Sequence, residues 1–352
     1  MTLNWLTNTL KATPFTRALY CVLRDGKFKV TDSIKLRKLT GQFRGHDLLV
    51  IKARNSGYFS NFFQAVGFLH IARKNKQQVA IQFDQGPYLD PERPEKSWWS
   101  YFFETSKSSN WQEAMEQASE QSVHIIDSRE TLDVVSRMAS RFERYAGHQL
   151  VSEFVLKKEI ADAVMAFKEI HFAGNFVIGL HYRGTDKVKD GLEANRVDYR
   201  AIDETIDAIS SLDIPFRLFV ATDEESLIHH LDGRANFEPL YTNSQRSHSG
   251  KPVHFSESRQ SNYQLGFDAL LDALLLSECD FLLRTESNLS KASEFFNPTL
   301  KSINLTREFA YSTPESTKEV KPNVSLIRRK VASAYRHRKA RPTGKGSGPD
   351  PI

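Results

Sequence analysis

Twice along the 352 residues, short apolar runs alternate with stretches of helical period, and no other feature constrains the fold as much. In the first series "DLLVIKA" (47–53) reads as a strand, "RNSGYFSN" as a turn, "FFQAVGFLHIARKN" as a helix and "QVAIQF" (78–83) as the next strand, one βαβ unit. A loop rich in Pro and Trp follows, then a strand "VHIID" (123–127) and two helical stretches, the second over 153–172. The second series sets strands at 176–182, 216–223, 238–242, 280–285 and 302–305, with helices near 200–211, at "EESLIHHL", over 263–279 and at "SKASEFFN". The expected class is α/β, with two Rossmann-like, doubly wound domains facing each other across a cleft. Residues 1–165 form the first and 166–312 the second. Residues 313–352, with Pro314, Pro322, Pro342 and a Gly/Ser/Pro end, read as a linker and a basic disordered tail.

Charge is unevenly spread. The formal net charge is +5, but eight Lys/Arg against Asp350 give the segment Leu326 to Ile352 a charge of +7, which leaves the rest near −2. By charge alone the folded part is therefore no polyanion-binding surface, and nucleic acid is not an expected partner. The tail "IRRKVASAYRHRKAR" admits weak contact with an anionic membrane face, nucleic-acid binding, or no partner. Only Cys21 and Cys279 occur, far apart in apolar segments, as a reducing compartment permits. With no long apolar run and a polar N-terminus, a cytoplasmic protein is the expectation, with peripheral attachment to the inner membrane face as the variant the tail would allow.

In an open parallel sheet, ligands bind outside the carboxyl ends of the strands. At those ends the second domain carries His181, Arg183, Asp186 and Lys187, then Asp223 and Glu224, then Thr285, Ser287 and Asn288. This set suits an anion. His181 and Arg183, two apart, project to one side of a strand, and an Arg there grips phosphate oxygens in pairs. The backbone N–H groups opening the next helix add a second anion clamp. The bland alternative for Arg183 is a salt bridge to Asp186 or Asp223. Asp272 interrupts "LLDALLLS", apolar on nearly every face, so its carboxylate is expected to be buried and in need of donors. A guanine edge would supply two; a cap or an Arg partner within the protein would serve as well. Trp98, Trp99 and Tyr101 in "SWWSYFFE" read either as an acceptor groove that stacks on sugar rings or as core.

Three blocks, "HYRGTDK" with "EANRV", "VATDEESL" and "LLDALLLSECDFLLRTESNLS", resemble in order the blocks of the fucosyltransferase superfamily. That superfamily includes the α-1,6-fucosyltransferases, the nodulation fucosyltransferases and the protein O-fucosyltransferases. The likeness runs over roughly 174–306; in the first domain "GYFSN" (57–61) resembles the Gly-x-Phe-x-Asn turn of the O-fucosyltransferases.

The resemblance implies a GT-B-type enzyme that moves L-fucose from GDP-fucose to a glycan or glycoconjugate hydroxyl with inversion. Arg183 would bind the β-phosphate, His181 and Asp272 the guanine, and Asp223 would shape the site. Thr285, Ser287 and Asn288 would lie near the phosphates, and Asn61 at the cleft between donor and acceptor. Lys187 matches a required lysine and Glu193 the proposed catalytic base, with Asp190 three residues away as its rival. Three positions depart from the pattern: Gly184 replaces a second Arg, Glu224 a second Asp and Asn288 a second Ser, which thins the expected phosphate contacts. No Asp-x-Asp motif is present, so no metal or other cofactor is expected. The partners implied are GDP-fucose and a glycan or lipid-linked glycan acceptor. Another nucleotide sugar, or a silent GDP-sugar-binding protein, are the alternatives.

Overall fold

The computed structural model describes residues 34, 37–38, 40–104, 122–184, 197–234, 238–247, 261–305 and 323–340. In Leu48–Lys52 (β1) four consecutive apolar residues are buried, as in a strand covered on both faces. It pairs in parallel with Gln78–Gln82 (β2) on one side and Val123–Ile126 (β3) on the other. The connecting helix Tyr58–Asn75 (α1) is buried on nearly every side and closes on Lys76 in the left-handed conformation, whose N–H reaches the Ala72 and Arg73 carbonyls. Against it lies Arg129–Ala139 (α2), close enough that a Cβ on Gly67 would stand 2.5 Å from Val135 Cγ1.

Two helices, Arg144–Val151 (α3) and Lys158–Phe167 (α4), precede the second sheet. The single helix expected over 153–172 is instead broken, because 155–157 pairs its backbone with 102–104: Glu104 N–H donates to Val155 O at 2.7 Å and Lys157 N–H to Phe102 O at 2.9 Å. After α4 the chain runs through a wide helical turn, Lys168–Phe172.

The second sheet is also parallel, in the order β5 (Arg217–Thr222), β4 (Val177–Tyr182), β6 (Phe281–Arg284), β7 (Lys301–Asn304). Its helices are Tyr199–Ser210 (α5), Glu225–Asp232 (α6), Asn262–Ser277 (α7) and Asn288–Phe296 (α8). The segment expected as a strand at 238–242 runs beside β5 as an irregular edge: Leu240 N–H donates to Leu218 O at 2.8 Å and Ser247 N–H to Asp223 O at 2.9 Å. Each sheet starts in the middle, steps to one side and then crosses to the other, so the expected α/β class with Rossmann-like, doubly wound order is what the chain adopts.

Alternate residues of the second sheet face two different cores. Ile178, Leu180, Val220 and Leu283 pack under α5 and α6. Val177, Phe219, Ala221 and Leu282 join a larger core that continues into the first half. There Phe62 and Phe63 of α1 meet Phe296 and Phe295 of α8, and Phe102 stacks on Tyr263 of α7 at 5.5 Å. Trp98, Trp99 and Tyr101 lie buried in this core, with Trp98 Nε1–H on the Gln85 carbonyl, so the core reading of "SWWSYFFE" holds and the acceptor-groove reading does not.

The expected disordered tail is corrected over its middle. Val324–Lys339 is a helix (α9), capped by the Asn323 side chain, which accepts the Leu326 N–H at 3.1 Å. Ile327, Val331 and Ala334 recur at helical spacing on one face and bury against the second sheet's outer core, and that burial orders the segment despite its charge.

Candidate functional site

The chain leaves β4 toward β5 and returns on the other side as β6, which makes the gap between the carboxyl ends of β4 and β6 a topological switch point. His181 and Arg183 end β4, Thr285 follows β6, and Ser287 caps α8 there by accepting the Leu289 N–H at 3.2 Å. Backbone and side chain stitch the two ends together. Thr285 N–H donates to His181 O at 2.9 Å, and Arg183 N–H donates to Thr285 Oγ1 at 2.9 Å.

Asp223, at the end of β5, holds the same corner from the other side. Its carboxylate accepts the Gly184 N–H at 3.1 Å and pairs with Arg183 Nε at 3.0 Å. The parallel register explains this: His181 lies opposite Ala221 and Tyr182 opposite Thr222, so the next step sets Arg183 beside Asp223. Of the two alternatives open for Arg183, the salt bridge is the one formed here. The contact is an ion pair without an aligned Nε–H hydrogen bond, so it neutralises the guanidinium and leaves its plane unfixed by this carboxylate.

One step further along the same register, Gly184 falls beside Glu224. A Cβ on Gly184 would overlap the Glu224 carboxylate, whose Oε2 accepts the Tyr199 hydroxyl at 2.9 Å. Two of the three departures from the family pattern are therefore one coupled change: the buried Glu224 occupies space that any side chain at 184 would need. Gly184→Ala is expected to destabilise the fold by roughly 1–3 kcal/mol through overpacking against Glu224 and the Tyr182 ring, and Glu224→Ala in the same chain to relieve the part that comes from the carboxylate. A double-mutant cycle in denaturant measures it, and additive losses would contradict the coupling.

His181 is only 3% exposed, and its Nδ1 finds no hydrogen-bond partner among the described residues. Burial, with Arg183 and Arg284 adding positive charge, pushes its pKa down to about 3, so the ring is neutral at physiological pH. A buried polar atom left without a partner is costly, and a ligand at the switch point would satisfy it.

Asp272, on α7, is 7% exposed and takes the Thr242 hydroxyl at 2.7 Å and, at 3.5 Å, that of Ser244. Burial lifts its pKa to about 7 against the opposing pull of Thr242, Arg246 and Ser244. Arg246, missed in the sequence, tempers that cost after the Thr242 hydroxyl. Its side chain is 7% exposed, lies over the Tyr241 ring and donates to Thr242 O at 2.6 Å, while its Nε has no hydrogen-bond partner among the described residues. The available signal was the demand of a buried acid for a cation, with "YTNSQR" as the only basic candidate on the adjoining edge. Asp272 also has internal partners, but they are hydroxyls rather than the cap or Arg pair weighed for it, with Arg246 acting only through its charge.

His181, Arg183, Asp223 and Thr285 thus share one corner, with Ser287 and Asn288 opening the helix beside it. Asn288 Nδ2 donates to Ser60 Oγ at 3.1 Å and so bridges to the first half. Asn61, expected at the cleft, is fully buried. Its side-chain oxygen accepts Arg54 N–H at 3.0 Å and its amide donates to the Arg54 and Ser56 carbonyls, so it fixes the loop after β1. Lys187, Glu193, Asp190 and Asp186 lie outside the described residues.

No protein-family model and no curated protein matches the sequence. Among solved structures the chain is similar to the fucosyltransferase NodZ from Bradyrhizobium, with 16% identity over 72% of this chain and 94% of that one and a TM-score of 0.44. It is similar to a mutant of Arabidopsis thaliana FUT1 in complex with GDP, with 12% identity over 79% and 75% of the two chains and a TM-score of 0.43. A glycosyl transferase family 9 protein from Veillonella parvula gives 10% identity over 84% and 95%, with a TM-score of 0.42. At such identity and overlap the chemistry has to be argued from this chain's own residues.

Proposed function

We propose that this chain is a glycosyltransferase of GT-B type that moves L-fucose from GDP-fucose to a glycan or glycoconjugate hydroxyl, with inversion and without a metal. The observation that carries the reading is the corner at the switch point. There a half-buried Arg183, a neutral His181 with an unpartnered nitrogen and the capped N-terminus of α8 converge where a nucleotide diphosphate would sit. The three sequence blocks point to the same corner.

In this mechanism the acceptor oxygen forms the new bond to the anomeric carbon while the bond to the β-phosphate oxygen breaks, and the electron pair leaves on GDP. Glu193 takes the acceptor's proton, with Asp190 as its rival. Arg183 and Lys187 stabilise the charge that develops on the β-phosphate, with Thr285, Ser287 and Asn288 alongside. Asp223 holds Arg183 by their ion pair, and His181 with Asp272 reads the guanine.

Guanine offers two donors, so it needs the ionised form of Asp272. Because that carboxyl titrates near 7 in the free protein, GDP binding should strengthen from about pH 6 to pH 8, by at most about tenfold per unit below the pKa. Calorimetric titration across that range checks it. Asp272→Asn should flatten the profile, and a wild-type affinity that falls with rising pH would contradict the assignment.

One observation favours a second reading, a GDP-sugar-binding protein without transferase activity: Glu224 sets a carboxylate beside Gly184, where the resemblance has a second cation. Incubation with GDP-fucose, GDP-mannose and UDP sugars, with glycan acceptors and without, separates the readings. Hydrolysis or transfer from GDP-fucose alone supports the proposal. Turnover of another donor, or GDP binding with no turnover, replaces it.

A further inference from the structure

We propose that α9 is an electrostatic docking face for an anionic phospholipid surface, a role that does not depend on which donor the second sheet binds. At 100° per residue, Arg328, Arg329, Arg336 and Lys339 fall within an arc of about 100° on one side of the helix. All four are exposed, and the helix sequence contains no acid. The opposite side, Ile327, Val331 and Ala334, is spent on the outer core of the second sheet, so the helix has no apolar face left to insert between lipids. What it presents is a rigid row of cations.

Among the described residues, most acids on the neighbouring elements are already paired, with Glu204 on α5 the exposed exception. Asp280 pairs with Arg338, and on α5, against which α9 packs, Asp203 and Asp207 pair with Arg234. The chain outside 326–352 carries a charge near −2, so an anionic plane attracts this face and repels the remainder, which orients the molecule. Single-stranded nucleic acid would ask for exposed aromatic rings on which bases stack. The one aromatic on α9, Tyr335, is set edge-on to Phe176 at 5.3 Å and covered by the Lys339 ammonium at 4.9 Å. A bilayer asks only for charge in a plane.

The test is sedimentation of the full chain with vesicles of phosphatidylcholine containing about one third phosphatidylserine, against phosphatidylcholine alone. Binding to the anionic vesicles only is expected, and it should vanish near 1 M salt, where the Debye length is ~3 Å. R328Q/R329Q and R336Q/K339Q should each weaken partitioning about twenty-fivefold, since each cation near such a surface contributes about fivefold. The two pairs are independent, so misfolding of one leaves the other as the test. GDP binding, measured on the same preparations, should stay unchanged, which keeps this result separate from the transferase reading. Equal binding to neutral vesicles, unaltered partitioning of both variants, no binding at all, or tighter binding to RNA or duplex DNA than to the vesicles would each overturn the proposal.

Discussion

Under the proposed function, replacing Arg183 with alanine is expected to lower turnover of GDP-fucose by about a hundredfold, equivalent to ~3 kcal/mol of transition-state stabilisation. The size follows from where the guanidinium sits: partly buried, beside a neutral His181, with its backbone N–H fixed on Thr285. In such a site a fixed charge acts on the departing diphosphate with little solvent screening. Arg183→Lys keeps the charge but loses the planar fork, so it should recover only part of the rate. Steady-state kinetics with GDP-fucose measure both variants, and near-normal turnover by the alanine variant would remove Arg183 from the mechanism. Because Asp223 also loses this ion pair, the variant's fold is to be checked by its circular dichroism.

Glu294→Ala is expected to cost about 3–5 kcal/mol of folding stability, the range for breaking a buried ion pair from one side. The residue lies on α8 with its side chain 2% exposed. It accepts Arg144 at 2.6 Å, Arg284 at 3.1 Å and Ser302 at 2.6 Å, with Lys291 at 3.5 Å. Arg144 belongs to α3, so this one carboxylate ties the first half of the chain to the second. Burial alone would raise its pKa, but Arg284, Ser302, Arg144 and Lys291 together outweigh burial and hold it below the ordinary value. A depressed acid contributes stability above its unfolded pKa and loses that contribution as pH falls through the folded one. The wild type should therefore weaken in acid more than Glu294→Gln does. Urea unfolding at neutral and acidic pH checks both, and a loss under about 1 kcal/mol at neutral pH would show that the cluster is dispensable.

The strands of the second sheet were legible because "FVIGLHY" and "FRLFVATD" are near-continuous apolar runs, as burial on both faces requires. The break at 152–157 was not legible: Leu156 falls in helical register with Ile160 and Val164, and only the pairing of 155–157 with 102–104 pulls it out. In α9 the stripe Ile327, Val331, Ala334 was present, but the surrounding cations outweighed it in a reading by composition. Residue types at the site were readable, and Asp223 was one of two partners open to Arg183, but which contacts form was not. That Arg183 meets Asp223 and Gly184 meets Glu224 follows from the β4–β5 register, which no single stretch of sequence states. Arg246 escaped notice because its role exists only once 240–247 lies along β5 and reaches α7.

A crystal structure of this protein grown with GDP tests the central claim most directly. The diphosphate is expected at the carboxyl ends of β4 and β6, with Arg183 on a β-phosphate oxygen, Asp272 accepting from the guanine ring N–H and amine, and His181 Nδ1 bonded to the nucleotide. GDP bound elsewhere, or an empty corner with Arg183 still held by Asp223 and Asp272 by Thr242, would contradict it.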